Sequence, residues 1–298
     1  VGMHSIDVDQ GSSVNFVYIP AKEPSVKTLL FVQGSGAIPL FYRKENDPKL
    51  YFALPFEIDE VLEASACNLL LVSPPGVQCI EDQKALDDNF YKVDEKNWPI
   101  MAYRLGNNIE SHLRRYGAAM HYVEEKFNTS HFLVMAHSQG SRIAAALAGR
   151  HQNISKLMLS AVNPLSRSHE TLSKIRVEYY LVKIDFRTAQ ALIESEYKRV
   201  RMLRQKSQKN PEELSELSFT DPAMQQQMLS IQQPILFAYG SHDFGTALEA
   251  DKIMLEFVRH NKSNLSLKVY ENMDHNLFKD DIFIWKHLFD DTLKWFAE

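Results

Sequence analysis

Short, strongly apolar runs recur along the chain and alternate with longer segments whose apolar residues are spaced three or four apart. The first pattern predicts β-strands and the second predicts amphipathic helices. The predicted strands lie at 12–19, 27–32, 68–72, 131–136, 156–162, 234–239 and 265–270. Several of these runs are apolar throughout, which is typical of parallel strands covered by helices on both faces. The sequence therefore predicts a doubly wound, mostly parallel α/β sheet.

The remaining segments predict helices, one long loop and one insertion. Helices are expected at 55–65, 101–127, 247–260 and 282–296, the second interrupted near Gly117, and the polar stretch 78–99 predicts an irregular loop. Between 163 and 231 no strand-like run occurs, and the sequence is helical in propensity with a break at Pro211. We therefore predict a helical cap at 163–231, inserted after the sixth strand of an α/β core formed by 1–162 and 232–298.

The stretch 131–148 carries the strongest indication of chemistry. A strand-like run passes through small residues into helix-forming sequence, so Ser138 stands at the apex of a strand–turn–helix. Such a nucleophile elbow projects the serine Oγ clear of the backbone and points a helix N-terminus at the same place. Small residues flank it at Ala136 and Gly140, although glycine is usual at both positions. Because five-residue patterns also arise by chance, the interpretation depends on a base and an acid elsewhere.

A serine nucleophile needs a base, and the base needs a carboxylate that holds its tautomer. His275 follows the last predicted strand and is the candidate base, although an isolated loop histidine is more often a surface residue. Asp243 follows the preceding strand, with Gly240 allowing the turn, and is the candidate acid. Its alternative role is an ordinary turn or helix cap. Asp274 competes as the acid, but an immediate neighbour of the base is poorly placed to orient the ring.

The chain order Ser138, Asp243, His275, together with three local motifs, resembles the α/β-hydrolase superfamily. The motifs are Ala136-His137-Ser138-Gln139-Gly140, Gly240-Ser241-His242-Asp243 and Met273-Asp274-His275. The resemblance extends over 12–297 apart from 163–231, and it identifies no subfamily. It implies an α/β-hydrolase fold and a catalytic triad of Ser138, Asp243 and His275.

The resemblance also implies an oxyanion hole made of two backbone N–H groups. One is the N–H of Gln139, and the other comes from Gln33-Gly34-Ser35-Gly36, which resembles the family's His-Gly-x-Gly. We expect Ser35 to be the second donor, with Gly36 in reserve. Gln33 stands where histidine is common in the family, which leaves the backbone donors unaffected but changes the polar anchoring of the loop.

The chemistry that this resemblance implies is covalent acyl transfer. Ser138 would attack an ester, thioester or amide of a small or medium acyl substrate, with no metal and no organic cofactor. The chain is interpreted as a serine hydrolase of the carboxylesterase kind. A peptidase or an acyltransferase would use the same residues, and a noncatalytic binding protein on this fold is the alternative from another class. A serine at the elbow argues against the family's dehalogenases and epoxide hydrolases, which attack with aspartate.

The composition adds limits rather than chemistry. The 298 residues are 45% hydrophobic and 24% charged, and the formal net charge of −5 gives no reason to expect nucleic acid as a partner. No run of about 18 apolar residues predicts a transmembrane helix. No signal peptide is visible, which favours a soluble cytoplasmic protein, but the opening Val1-Gly2-Met3 leaves the compartment open. Cys67 and Cys79 are interpreted as inert thiols with their pairing open, and the oligomeric state is not predicted.

Two features of the predicted cap each have two interpretations. The basic segment 197–206 is either a solvated helix face or a surface that attracts an anionic substrate or a membrane. Three aromatic residues either pack within the cap or line an acyl pocket, namely Tyr179, Tyr180 and Phe186. Substrate selection is expected to lie mainly in the cap and in the loop 77–100.

Overall fold

The computed structural model describes residues 2–9, 12–96, 98–207, 210–220, 224–279 and 282–298. The strands are β1 (Gly2–Asp9), β2 (Ser12–Ile19), β3 (Lys27–Val32), β4 (Phe41–Arg43), β5 (Leu50–Phe52), β6 (Asn68–Val72), β7 (Ile80–Asp82), β8 (His131–His137), β9 (Ile154–Ser160), β10 (Ile235–Gly240), β11 (Leu265–Tyr270), β12 (Phe278–Lys279) and β13 (Ile282–Phe283). The helices are α1 (Ile58–Ser65), α2 (Met101–Gly106), α3 (Ile109–Phe127), α4 (Gln139–Ala148), α5 (Arg167–Tyr180), α6 (Phe186–Lys206), α7 (Pro211–Thr220), α8 (Met224–Ser230), α9 (Phe244–Arg259) and α10 (Trp285–Ala297).

Eight strands form the central sheet, in the order β1-β2-β6-β3-β8-β9-β10-β11. The pairs β1–β2 and β2–β6 are antiparallel, and the pairs from β6 to β11 are parallel. The carboxyl ends of the parallel strands therefore share one edge, where ligands usually bind in sheets of this kind. The predicted fold class, a mostly parallel sheet with helices on both faces, is confirmed.

Two apolar layers hold the helices against this sheet. On one face, α3, α4 and α9 contribute buried side chains such as Leu113, Ile143 and Phe257. On the other face, α1 and α10 contribute Val61 and Phe289, among others. The central strands are covered on both sides, which explains why all five residues of β6 are buried. None of the helices in the described part of the chain combines the length and apolar character that a membrane-spanning segment needs.

Three predictions about the secondary structure were wrong in detail. The helical stretch 101–127 breaks at Asn107 and not at Gly117, because the side chain of Asn108 accepts a hydrogen bond from the N–H of Ser111 and caps α3. The loop 78–99 contains β7, which pairs with β4 in a small three-stranded sheet with β5. Strand β1 was not predicted, because an edge strand rich in polar residues has no continuous apolar run.

In the described residues of 163–231 the chain forms the helices α5 to α8. Helix α5 packs against α9 and α6, whereas α8 packs against α4 and α9. Pro211 begins α7, a position where its missing N–H costs nothing. The beginning of α5 lies beside the carboxyl edge of the sheet. Its function as a cap stays a prediction.

Candidate active site

Ser138 occupies a tight turn between β8 and α4. Its backbone has φ 52° and ψ −123°, a conformation that costs energy for a residue with a side chain and is kept only where the surroundings enforce it. The backbone of a neighbouring strand lies very close to this turn. A Cβ on Gly140 would lie 2.2 Å from the carbonyl oxygen of Val32, so only glycine fits where α4 crosses β3. Ala136, the less usual small residue, lies fully buried in β8.

The structure brings the three residues of the predicted triad together. His275 Nε2 lies 3.0 Å from Ser138 Oγ, and His275 Nδ1 lies 2.7 Å from Asp243 Oδ2. Both distances are within hydrogen-bonding range and use opposite sides of the imidazole ring. Asp243 is 3% exposed, whereas the side chain of His275 is 32% exposed and can be reached by a substrate. The arrangement can carry a proton from the hydroxyl to the ring while the carboxylate holds the ring's orientation.

The contacts of Asp243 and Asp274 also argue against the two alternatives, in which Asp243 is only a helix cap or Asp274 is the acid. Asp243 stands at the N-cap of α9, yet in the described part of the chain its side chain makes no capping hydrogen bond. The nearby Asp274 accepts instead from the N–H groups of Asn276 and Phe278 and so shapes the loop that carries His275. A Cβ on Gly240 would lie 2.1 Å from the carbonyl oxygen of Met273, so the two loops meet backbone to backbone.

The electrostatic surroundings suit a base at His275. Burial is the largest influence on the pKa of His275 and lowers it, but the hydrogen bond and the negative charge of Asp243 outweigh burial and raise the pKa above 6.5. Burial also raises the pKa of Asp243, and the hydrogen bond and charge of His275 reverse this, so the pKa falls below 3.8. His137 packs beside His275, and burial lowers the pKa of His137 to about 3, so this second ring stays neutral.

The three backbone N–H groups predicted for an oxyanion hole differ in whether they already have a hydrogen-bond partner. Gln139 is the first residue of α4, so its N–H has no partner inside the helix. Within the described chain, the N–H of Ser35 donates no hydrogen bond, and Ser35 lines the same cavity as Ser138. The N–H of Gly36, the reserve donor, points elsewhere and donates to the hydroxyl of Tyr103 at 2.6 Å. Gly36 is therefore not available to a substrate, which corrects its predicted role.

Comparison with solved structures gives the fold its name. An esterase from Pyrococcus furiosus is similar over 100% of this chain and 91% of its own, with a TM-score of 0.56 at 13% identity. A structure from a study of carboxylesterases of Nitrososphaera gargenis is similar over 99% and 98%, with a TM-score of 0.58 at 14% identity. The acylaminoacyl peptidase of Pyrococcus horikoshii is similar over 100% of this chain and 41% of its own, with a TM-score of 0.60 at 9% identity. The chain matches no protein-family model and no curated protein sequence.

This chain has the α/β-hydrolase fold. Its eight-stranded sheet places Ser138, Asp243 and His275 on loops at the carboxyl ends of β8, β10 and β11. At these low identities the likeness is one of fold.

A cavity of about 290 Å³ opens beside Ser138. Its apolar lining comes from Phe31, Ile38, Ala53, Leu54, Pro55 and Trp285. Tyr91 is the residue that the loop 77–100 contributes, and no described residue of 163–231 lines the cavity. The three aromatic residues of the predicted cap cluster on one another at the α5–α6 turn, with Tyr180 75% exposed. Of their two interpretations, this clustering favours packing within the helical segment over the lining of an acyl pocket.

The site contains residues that the sequence did not single out. Tyr103 from α2 holds the loop 33–36 through Gly36, and burial raises the pKa of Tyr103 to about 12, which keeps its hydroxyl protonated. The sequence singled out only the backbone N–H of Gln139, but its side chain also donates to Asn107 at 2.6 Å and accepts from Arg167 at 3.2 Å. Each is an ordinary helix residue, and no local pattern distinguishes it.

Residues at the start of α5 also reach the triad. Oxygen atoms of Glu170 and Asp243 and a ring nitrogen of His275 all lie within 4.8 Å of one another. Glu170 is ion-paired with Lys174 one turn later. Because Glu–Lys pairs at this spacing are common on helix surfaces, no sequence pattern indicated this contact.

The remaining predicted features lie away from the site. Cys67 and Cys79 are buried free thiols, and burial raises the pKa of both, which makes them less reactive. In the basic segment 197–206, Arg199 binds Glu196 at 2.7 Å and also pairs with Glu216. Internal pairing of this kind favours the interpretation of the segment as a solvated, salt-bridged helix face.

Proposed function

We propose that this α/β-hydrolase is a serine hydrolase that cleaves a carboxylic ester, or a related thioester or amide, of a small or medium acyl substrate. The observation that carries the proposal is the unbroken hydrogen-bonded series from Ser138 Oγ through both nitrogens of His275 to Asp243. The names of two solved relatives, an esterase and a carboxylesterase, agree with it. Proteins of this fold that only bind ligands have no need of such a series.

The first half of the proposed reaction acylates the enzyme. His275 Nε2 accepts the proton of Ser138 as Oγ forms a bond to the carbonyl carbon, and Asp243 stabilises the imidazolium that results. The carbonyl oxygen takes up the electron pair and receives hydrogen bonds from the N–H groups of Ser35 and Gln139. The tetrahedral intermediate then collapses, the bond to the leaving group breaks, and His275 returns the proton to the departing alcohol.

The second half releases the acid. His275 accepts a proton from water, whose oxygen attacks the acyl carbon of the ester on Ser138. The same two N–H groups stabilise the second oxyanion, and His275 then protonates Ser138 Oγ as the acid departs. Removing one such donor costs about 2.7–4 kcal/mol of transition-state stabilisation in enzymes of this kind. The scheme uses the chain's own residues throughout.

The cavity beside Ser138 supports a short or medium acyl group. Its volume of about 290 Å³ and its mainly apolar lining suit a hydrocarbon chain or a small ring, and two of its lining residues, Trp285 and His137, pack edge to face on one another. The helical segment 163–231 adds none of the described lining, so we propose that it acts as a cap chiefly through the start of α5 and leaves the acyl pocket to the core.

The proposal is tested by hydrolysis of p-nitrophenyl esters from acetate to palmitate, measured with the native chain and with Ser138→Ala. We expect the highest kcat/KM for acyl chains of short or medium length and no turnover by the variant. A flat background rate for every ester, equal in both proteins, would contradict the proposal. Faster cleavage of N-acylated peptides than of every ester would assign the same triad to a peptidase, as in the P. horikoshii relative.

A further inference from the structure

We propose that Glu170 is a positioning residue for the Asp243–His275 pair, and that its ion pair with Lys174 sets the pH at which His275 becomes a base. The inference rests on the proposed function and extends it to a residue of the helical segment. Its geometric basis is the cluster already described, in which an oxygen of Glu170 lies within 4.8 Å of both Asp243 and His275.

Glu170 is held in this place by three other elements. Its Oε2 accepts a hydrogen bond from the side-chain amide of Asn163 at 2.6 Å, and Arg142 of α4 in turn binds the side-chain oxygen of Asn163 at 3.1 Å. A Cβ on Gly245, at the start of α9, would lie 2.6 Å from Cγ of Glu170. The side chain of Glu170 is only 13% exposed. This carboxylate is fixed between α4, the helix after Ser138, and α9, the helix after Asp243. Its charge therefore acts at close range on Asp243 and His275.

The charges around His275 give this carboxylate a definite effect. The charged and titratable groups that face the ring come from the elbow, from the turn before α9 and from α5, namely His137, Ser138, Asp243, Glu170 and Lys174. The negative charge of Glu170 raises the pKa of His275, and the positive charge of Lys174 lowers it. Lys174 also lowers the pKa of Asp243. The two members of one ion pair therefore act on the base in opposite directions.

Because Glu170 and Lys174 shift the pKa of His275 in opposite directions, an electrostatic effect can be distinguished from a merely structural role. A base works in its neutral form, so activity on the acid side follows the deprotonation of His275. Glu170→Gln removes a charge that favours the imidazolium, and the acid limb of kcat/KM is expected to move to lower pH. Lys174→Met removes a charge that disfavours the imidazolium, and the limb is expected to move to higher pH. Loss of packing alone would lower kcat/KM in both variants without moving either limb.

A matched control exists in the same helical segment. Glu196 is also buried and ion-paired with an arginine three residues later, but it belongs to α6 and does not face His275. Glu196→Gln removes the same charge and is expected to leave the acid limb in place. A shift in this control equal to that of Glu170→Gln would assign the effect to the loosening of the segment and overturn the proposal.

The experiment measures the pH dependence of fluorophosphonate labelling and, independently, an NMR titration of the His275 Hε1 signal, assigned by its loss in His275→Ala. We expect the two variants to shift both curves in opposite directions, with the double variant between them. Labelling that fails in the native chain would contradict the proposed function, while the NMR titration would still test Glu170. Unchanged or same-direction NMR shifts in the two variants would overturn the inference even if labelling succeeds.

Discussion

The central sheet and the helical segment 163–231 each bring one carboxylate to His275, and the two contacts differ in kind. Asp243 is buried, lies on a loop fixed by backbone contact at Gly240, and bonds His275 Nδ1 at 2.7 Å. Glu170, whose side chain is 13% exposed, lies on α5, makes no hydrogen bond to the ring in the described chain and is ion-paired with Lys174. In the described chain, Asp243 is the carboxylate hydrogen-bonded to the ring. We therefore propose that the sheet fixes the tautomer and direction of His275, and that the helical segment adjusts the pH at which His275 is protonated.

Loss of the sheet's carboxylate is expected to have the largest effect. Asp243→Asn should lower kcat/KM by about 10⁴-fold, because the amide no longer selects the productive tautomer of His275. Asp274→Asn is the matched control, since its carboxylate binds backbone N–H groups and not the ring. Steady-state kinetics on a p-nitrophenyl ester measures both. Equal losses in the two variants, or a greater loss in Glu170→Gln, would reverse the assignment of roles.

The close crossing of α4 and β3 beside Ser138 is tested by Gly140→Ala. The added methyl would lie 2.2 Å from the carbonyl oxygen of Val32, so α4 must shift, and we expect the free energy of unfolding to fall by about 1–3 kcal/mol or more. Gly149→Ala is the control, because its φ of −69° is ordinary and its nearest neighbour would be 3.5 Å away. That change should leave stability unaltered or raise it by about 0.4–1 kcal/mol. Denaturant unfolding distinguishes the two, and similar values would contradict a close helix–strand crossing.

The smallest of these effects concerns Tyr103 of α2, which belongs to neither region and holds the loop 33–36, the proposed source of one oxyanion donor. Tyr103→Phe removes the acceptor for the N–H of Gly36. A single hydrogen bond of this kind contributes about 0.5–1.5 kcal/mol, so kcat is expected to fall roughly 2–10-fold with little change in stability. A fall of several hundredfold would mean that the hydroxyl itself contacts the substrate, and an unchanged kcat would mean that the loop needs no support.

The fold could be predicted from the sequence where a strand has a clear apolar pattern. Strands β2, β3, β6 and β11 begin and end at the predicted residues. In β3 and β6 the pattern is a buried apolar run, as in parallel strands covered on both faces, whereas β11 is an edge strand whose buried and exposed residues largely alternate. Strands β1 and β7 were not predicted, because their residues are largely polar and form no apolar run. Gly117 was expected to break a helix, but it lies inside α3, where the ring of His151 packs against it, and an asparagine cap sets the break instead.

The candidate site could be predicted only where a residue stands at a fixed point of the fold. Ser138, Asp243 and His275 follow directly on strands, and the topology brings strand ends together. Glu170 and Tyr103 reach the site through helix packing, which depends on angles and contacts that no local pattern encodes. The availability of Ser35 rather than Gly36 likewise depends on the distant hydroxyl that Gly36 binds.

The central claim is that Ser138 is an activated nucleophile, and covalent labelling tests it most directly. The native chain is treated with a fluorophosphonate probe beside Ser138→Ala and His275→Ala, and the modified peptide is identified by mass spectrometry. The account predicts one adduct on Ser138, absent from the first variant and strongly reduced in the second. A folded native chain that stays unlabelled, or an adduct on another residue that persists in Ser138→Ala, would contradict it.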